Sequence, residues 1–390
     1  MKMKRYHLLL LCMLLFFSCS EKENDSCRVD FQLFSEEYPT LPFEEMKVIL
    51  TNKEQGTSYT SNCNPDGIAS FQVECGYYTA SVHYQTSTGL IFSGRIESVP
   101  LLPQNNGTTI KMELSRSTTN ALIIKEIYYG GCIGRMGEEY QSDQYVTLYN
   151  NSDTPIYLDG LCIAIVDPAS SLKSPWIEYT DMKRIPVSNI AWQFPGSGQE
   201  YPLAAGSETT IATNAVNHTG GEYQHPNSID LSKVDWGFWD VSLKRQDITP
   251  GVKQMKLLSN LNPNLSMYAF PVVGPTLMIF DIQGTSAEEY VSNPDNHESK
   301  PQSANLNKYY LMIPKEWVID CVECVQSASQ ITNKRVPNDL DNGAAFITDG
   351  LYKGKVLVRK KAGTEEGRIV YQDTNNSTDD MITSTPSIKK

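Results

Sequence analysis

Short runs of alternating apolar and polar residues, separated by Gly, Pro and Asn, recur along this chain and constrain its fold more than any other feature. In one such run Ala69, Phe71 and Val73 alternate with Ser70 and Gln72. Because successive side chains of a strand point to opposite faces, each run offers one face to a core and one to water. Long helical patterns are few. The sequence therefore predicts an all-β protein built from β-sandwiches, without the alternation of strands and helices that marks a parallel sheet.

Changes in this pattern divide the chain, whose 390 residues exceed one typical domain. We predict two β-sandwich domains, at residues 28–115 and 121–381, joined by a Ser- and Thr-rich linker. The second domain is expected to carry a loop-rich insertion at about 214–271, because that stretch is too long for a simple connection. We expect residues 382–390 to form a flexible tail.

The predicted first domain contains a turn, Asn64-Pro-Asp-Gly67, in which Pro presets φ and Gly accepts a positive φ. Together with the strands around it, this segment resembles a small transthyretin-like or carboxypeptidase-regulatory-like sandwich. The resemblance implies a spacer or a binding module, the usual roles of such sandwiches in surface proteins.

The predicted second domain begins with apolar runs at 121–130, 144–160 and 201–212, whose succession resembles a lamin-tail domain, an immunoglobulin-like sandwich. The segments at 313–320 and 367–380 resemble a domain-of-unknown-function family of Bacteroidota lipoproteins. This second resemblance implies a surface lipoprotein and supplies no established activity.

The first residues have the order of a signal peptide, which we place at residues 1–18. Basic residues precede an apolar run at 8–17, which is about half the ~20 residues that a membrane-spanning helix needs. The run ends in Phe-Phe-Ser-Cys19, which resembles a lipobox and implies a lipid on Cys19 and a lipidated tether at 19–27. The acidic residues that follow resemble the surface-export signal of Bacteroidota lipoproteins. We therefore expect a lipid anchor in the outer membrane, with the protein exposed at the cell surface.

The chain has a formal net charge of −12, which makes nucleic acid an unfavourable partner because phosphate backbones would be repelled. The acidic residues are spread along the sequence. Their ordinary effect is solubility.

Seven of the nine cysteines remain after one leaves with the signal peptide and Cys19 takes lipid, so at least one thiol stays free. We predict a disulfide between Cys63 and Cys75, because both belong to one hairpin-like segment. Cys321 and Cys324 form a Cys-x-x-Cys motif within a run that alternates like a strand. Residues three apart in a strand face opposite sides, which favours two structural thiols over a redox pair or a metal site.

Two loops carry candidate metal ligands. Apart from a metal ion at these loops, we expect no cofactor. Imidazole and carboxylate groups that suit zinc or iron occur close together at His218, Glu222 and His225. Oxygen ligands that suit calcium occur at alternate positions at Asp373, Asn375 and Asp379. The alternative for the first is an ordinary solvated Gly-rich loop, and for the second a polar turn, since it lacks the glycine and closing glutamate of an EF-hand.

Three aromatic residues stand close together between acidic residues, namely Trp236, Phe238 and Trp239. Exposed on a rigid loop, such side chains would stack on sugars or fill a pocket in a partner protein. The alternative is that they are buried and fill the seam between the sandwich and its insertion.

These observations favour a non-catalytic binding or accessory lipoprotein at the cell surface, in a setting of nutrient capture beside an outer-membrane transporter of the TonB-dependent type. The sequence has no nucleophile elbow and no phosphate-binding loop. One alternative is a glycan-directed surface hydrolase whose cleft is formed by residues 214–271. The other is a structural adhesin.

The lipid anchor can be tested by replacing Cys19 with alanine. We expect the wild-type protein to partition with membranes and to incorporate labelled palmitate, and the Cys19→Ala variant to do neither, because several acyl chains are needed for stable anchoring. Palmitate labelling and membrane fractionation measure this. Label on the variant would contradict the prediction.

Overall fold

The computed structural model describes residues 26–36, 38–85, 90–118, 121–305, 307–365 and 367–388. The predicted signal peptide and Cys19 lie outside the described residues. None of the described helices is long and apolar enough to cross a membrane.

The described residues before 119 form a β-sandwich of two sheets, in the orders β4-β1-β7 and β3-β2-β5-β6-β8. Alternate residues from both sheets, such as Phe31, Val48 and Ala80, are fully buried in one core. The strands are β1 (Ser26–Phe34), β2 (Lys47–Asn52), β3 (Ser58–Asn62), β4 (Ile68–Glu74), β5 (Gly76–Gln85), β6 (Leu90–Leu101), β7 (Thr108–Glu113) and β8 (Ser115–Thr118).

From residue 121 onward the regular secondary structure of the described chain is again mostly strand, with three short helices and long irregular segments between them. The strands are β9 (Leu122–Tyr128), β10 (Cys132–Ile133), β11 (Glu139–Tyr140), β12 (Tyr145–Asn150), β13 (Ile156–Tyr157), β14 (Cys162–Val166), β15 (Arg184–Gln193), β16 (Pro202–Leu203), β17 (Glu208–Ala212), β18 (Trp236–Gly237), β19 (Lys253–Gln254), β20 (Lys256–Asn260), β21 (Thr276–Phe280), β22 (His297–Ser299), β23 (Tyr309–Pro314), β24 (Val318–Glu323), β25 (Val356–Arg359), β26 (Lys361–Glu365), β27 (Arg368–Tyr371) and β28 (Met381–Ser384). The helices are α1 (Pro175–Tyr179), α2 (Ala287–Ser292) and α3 (Ser377–Asp380). Single 3₁₀ turns occur at Phe43–Glu45, Pro103–Asn105, Pro294–Asn296, Lys315–Trp317 and Ala328–Gln330.

Two large sheets organise this second part of the molecule. The first, which we call the front sheet, has the order β19-β18-β17-β12-β9-β25-β28. The second, the back sheet, has the order β22-β23-β15-β14-β21-β24, with β20 also paired to β15. The fold class predicted from the sequence, an all-β sandwich, is confirmed.

The back sheet is buried on both faces, which explains why β14 is a continuous apolar run instead of an alternating one. Ile163 and Ile165 pack in the sandwich core between the two sheets. Cys162, Ala164 and Val166 face an outer core. Residues of α1 and α2, including the buried Trp176 and Tyr290, cover that outer core.

The Cys-x-x-Cys motif, predicted to lie in a strand, begins in β24 and ends directly after it. Cys321 packs in the outer core, whereas Cys324 packs in the sandwich core, and both thiols are free and buried. The two side chains therefore lie on opposite sides of the back sheet, as the alternation predicts, and cannot form a redox pair.

The predicted disulfide between Cys63 and Cys75 is wrong, because Cys75 is bonded to Cys27 and Cys63 is a free, buried thiol. Strand β1 runs antiparallel to β4 with Cys27 opposite Val73, and this register brings Cys27 close to Cys75, with Cα atoms 5.3 Å apart. Cys75 therefore meets the neighbouring strand in the sheet instead of its own hairpin.

The prediction that residues 382–390 form a flexible tail is also wrong for the part that the structure describes. Residues 381–384 form β28, which pairs with β25 so that Ser384 lies opposite Val356. Ile388 packs against a small apolar cluster. Backbone hydrogen bonds to an adjacent strand hold this segment although its side chains are mostly polar.

The disulfide can be tested by peptide mapping under non-reducing conditions. We expect Cys27 linked to Cys75 in the wild type and in a Cys63→Ala variant. A Cys75→Ala variant should lose about 2 to 4 kcal/mol of unfolding free energy, because the bridge restrains the unfolded chain across a sequence separation of 48. Recovery of a Cys63–Cys75 peptide would contradict the structure.

Candidate functional site

A cavity of about 590 Å³ opens at one end of the front sheet, within the size range of small-ligand sites. Five segments that are distant in sequence contribute to it: the end of β9, β10, part of the predicted insertion, the segment before β25 and the segment after β28. The lining residues are Tyr128, Cys132, Ile133, Asn227, Ile229, Tyr352, Lys353, Gly354, Lys355, Thr385, Pro386 and Ile388.

One wall of the cavity is a short segment whose backbone is fixed to another loop. The Tyr352 N–H donates to the Gly130 carbonyl at 2.8 Å, and the Gly354 N–H donates to the Gly131 carbonyl at 3.0 Å. Tyr352 has a φ of +57°, a conformation that costs a non-glycine residue about 1 to 2 kcal/mol. Gly131 has no room for a side chain, since a Cβ there would lie 2.2 Å from the Tyr140 carbonyl oxygen. The surrounding contacts thus impose a strained but well-defined wall.

Below the cavity lies a buried carboxylate, Asp143, which no solvent reaches. Its Oδ2 accepts hydrogen bonds from Ser228 Oγ at 2.6 Å, from Tyr128 Oη at 3.3 Å and from Cys132 Sγ at 3.4 Å. Burial raises the pKa of Asp143 to about 6, and the bonds from Ser228 and Cys132 oppose that shift. Since Tyr128 and Cys132 both line the cavity, Asp143 holds its floor in place without being exposed to a ligand.

The charged residues that line the cavity are cationic. Lys353 and Lys355 line it, and no carboxylate is among the described residues that do so. Asp349 lies 3.3 Å from the Lys355 ammonium. Glu139 is close to Tyr352, whose pKa is raised by burial and by that carboxylate. The lining of the cavity therefore combines apolar side chains with two lysines.

The aromatic residues predicted to form a ligand surface are mostly core residues, so that prediction is wrong. Trp236 is 2% exposed and Phe238 is fully buried, and both belong to the sandwich core. Trp239 is half-buried and donates from its indole nitrogen to the Gln246 carbonyl at 3.0 Å. The reason is that β18 pairs in parallel with β17 inside the front sheet, which places Trp236 and Phe238 in the sandwich core.

The predicted transition-metal site at His218, Glu222 and His225 is also wrong. The ring of Tyr140 stacks on His225 with centroids 3.7 Å apart, and its hydroxyl donates to Nδ1 of His218 at 2.6 Å. Nε2 of His218 donates to the Asn214 carbonyl at 2.9 Å, while Glu222 is exposed. The described residues contain no group of three His, Cys, Asp or Glu side chains that could hold a metal ion.

The predicted calcium ligands point to three different partners. Asp379 forms an ion pair with Arg95 of the first sandwich, with 2.8 Å between the charged atoms. Asn375 donates to a main-chain carbonyl, and Asp373 is buried beside Arg359. The prediction of a calcium site is therefore wrong, because the cation in this loop is an arginine of the chain itself.

Arg359 is the residue that sequence reasoning missed here. Both of its terminal nitrogens are engaged: Nη2 lies 2.8 Å from each carboxylate oxygen of Asp320, and Nη1 contacts Asp373 at 3.1 Å and Asp380 at 3.3 Å. Its Nε donates to the Ile124 carbonyl at 2.8 Å. Burial raises the pKa of Asp320 and of Asp380, and Arg359 opposes both shifts. We call these four side chains the Arg359 cluster.

The buried His218 gives a prediction about pH. Burial lowers the pKa of His218 to about 4, from 6.5 for a free imidazole. Between these pH values the unfolded chain binds more protons at this residue than the folded one, so His218 weakens the fold as the pH falls through 6.5 towards 4. Relative to a His218→Gln variant, the wild type should lose about 2 to 3 kcal/mol of unfolding free energy between pH 7.5 and pH 4.5.

Urea unfolding of both proteins at the two pH values measures this difference. A His297→Gln variant is the control, because it loses an imidazole that is half-exposed. An equal difference between wild type and His218→Gln at both pH values would show that His218 does not titrate as its burial requires.

Part of the chain matches a known protein family, and the whole chain is similar to a solved structure. Residues 204–387 match the family described as "Protein of unknown function (DUF4876)". A crystal structure of a DUF4876 family protein from Bacteroides thetaiotaomicron is 27% identical, covers 93% of this chain and 96% of its own, and superposes with a TM-score of 0.63. A crystal structure of a DUF3823 family protein from Parabacteroides merdae is 9% identical, covers 77% of this chain and 99% of its own, and has a TM-score of 0.20.

No curated protein matches the chain. The resemblance to a domain-of-unknown-function family of Bacteroidota, drawn from the segments at 313–320 and 367–380, is confirmed. The chain carries at residues 204–387 a region that matches the DUF4876 family, and over nearly its whole length it is similar to a solved DUF4876 protein.

Proposed function

We propose that the protein is a lipid-anchored surface protein that binds a small ligand in the cavity and does not transform it. The cavity itself carries the proposal: it is preformed, and its wall at Tyr352–Lys355 is fixed by backbone hydrogen bonds to another loop. A wall that is already ordered loses little conformational freedom when a ligand binds, which favours affinity. A residue held in a strained conformation beside a cavity is a further sign of a functional site.

The lining chemistry favours binding over hydrolysis. Glycoside hydrolysis uses two carboxyl groups on either side of the scissile bond. The described residues that line the cavity include neither a carboxylate nor a histidine. Asp143, the acidic group beneath the floor, is fully buried. The predicted insertion contributes Asn227 and Ile229 to the lining of the cavity. Neither residue is an acid or a base of the kind that the hydrolase alternative requires.

The proposed role at the cell surface combines this cavity with the anchor on Cys19. In the chain, the first sandwich stands between the anchor and the cavity, which suits a spacer that holds the site away from the membrane. An outer-membrane transporter of the TonB-dependent type would then be the acceptor of the ligand. A surface glycan is the alternative partner.

Filling the cavity should abolish binding. Thr385 is exposed and lines the cavity, so Thr385→Trp places an indole in it with little cost to the fold. Ile382 is also exposed, lies on the adjacent strand β28 and is not part of the lining, which makes Ile382→Trp a matched control. A panel of organic acids, amines and mono- and oligosaccharides is screened by thermal unfolding. A ligand at 100 times its dissociation constant stabilises the folded state by about 2.7 kcal/mol.

We expect the same compounds to raise the melting temperature of the wild type and of Ile382→Trp, and to leave that of Thr385→Trp unchanged. The proposal fails if no compound stabilises the wild type. It also fails if Thr385→Trp responds as the wild type does, because the ligand would then bind elsewhere.

A further inference from the structure

The lining of the cavity combines two kinds of chemistry. Four of its residues have aliphatic side chains, namely Ile133, Ile229, Pro386 and Ile388. The segment Tyr352–Lys355 contributes two lysines. A ligand that matches both has an apolar body and one polar end.

Most other polar groups of the lining already have partners within the protein. The Asn227 amide donates to the Ile133 carbonyl at 3.0 Å, and the Tyr128 hydroxyl donates to Asp143. Burial and the nearby Glu139 raise the pKa of the Tyr352 hydroxyl. A sugar carries hydroxyl groups around its whole ring and loses affinity where they stay unpaired. The aliphatic side chains of the lining offer such groups no partner.

The polar end of the ligand has to complement two lysines. The chain has 45 acidic and 33 basic residues, yet the charged residues of the lining are both lysines. Asp349 pairs with Lys355 at 3.3 Å, whereas Lys353 is exposed and has no ion pair in the described part of the chain. An ammonium group that lines a cavity without a partner in the protein attracts an anion.

We propose that the ligand is an organic carboxylate with an aliphatic body. Its carboxylate contacts Lys353 or Lys355, and its hydrocarbon part packs against the isoleucine side chains of the lining. This inference rests on the proposed function, since it names the chemical class of what the cavity binds.

The probes are octanoate and octanamide, which share a hydrocarbon chain and differ in charge. Calorimetric titration at low ionic strength should show octanoate binding to the wild type about tenfold more tightly than octanamide, because a charge-assisted contact is worth on the order of 1.4 kcal/mol. Lys353→Gln should weaken octanoate about tenfold and leave octanamide unchanged. Lys361→Gln, at an exposed lysine of β26 outside the cavity, is the matched control and should bind both as the wild type does.

The outcomes separate this inference from the proposed function. Equal affinity for octanoate and octanamide, an unchanged affinity of Lys353→Gln for octanoate, or no binding of octanoate to the wild type would each overturn the carboxylate assignment. In those cases the proposed function stands if another compound of the panel binds the wild type and not Thr385→Trp. Displacement of octanoate by a neutral sugar would assign the site to glycans instead. Octanoate binding that Thr385→Trp leaves intact would overturn both proposals.

Discussion

The Arg359 cluster connects the parts of the molecule on which the position of the cavity depends. Arg359 lies on β25 in the front sheet, Asp320 lies on β24 in the back sheet, and Asp373 and Asp380 belong to the segment that leads into β28. Burying charged groups costs several kcal/mol per ion, and this cost is offset only where they are paired and hydrogen-bonded. Here Arg359 meets three carboxylates and two main-chain carbonyls. The cluster therefore permits one arrangement of these strands and penalises others strongly.

That arrangement determines where the cavity wall stands. Strand β25 begins directly after Lys355, and β28 ends directly before Thr385, so two walls of the cavity are the outward extensions of two strands that the cluster aligns. At the floor, Asp143 draws Tyr128, Cys132 and Ser228 together by hydrogen bonds. The cavity is thus supported by two buried carboxylate networks, one beneath it and one farther along the same strands.

The sequence predicted those features that depend on local alternation. It predicted the all-β class, and it predicted that Cys321 and Cys324 face opposite sides of a strand. The predictions made from the sequence were wrong where the position of a side chain depends on which strands pair with each other. The partner of Cys75 is Cys27 because β1 lies beside β4, and Trp236 is buried because β18 joins the front sheet. Neither strand pairing can be predicted from the local alternation of apolar and polar residues.

The cavity and the Arg359 cluster were missed for the same reason. A spacing of acidic residues at 373–379 fits calcium ligands and equally fits a set of partners for basic side chains, and only the fold shows that Arg359 and Arg95 are those partners. The cavity draws on five separate segments, of which the sequence singled out the insertion at 214–271 and named its aromatic residues. The residues of that insertion that reach the cavity are Asn227 and Ile229.

The acidic character of the whole chain does not oppose an anionic ligand in this cavity. At physiological ionic strength the Debye length is about 8 Å, so exposed charges farther away than that are largely screened. The net charge of −12 is spread along a chain of 390 residues, whereas Lys353 and Lys355 line the cavity itself. The distant negative charge slows the approach of an anion. The affinity of the cavity for that anion is set by the groups within one Debye length of it. The lining itself presents two lysines and aliphatic side chains, and Asp349 is paired with Lys355.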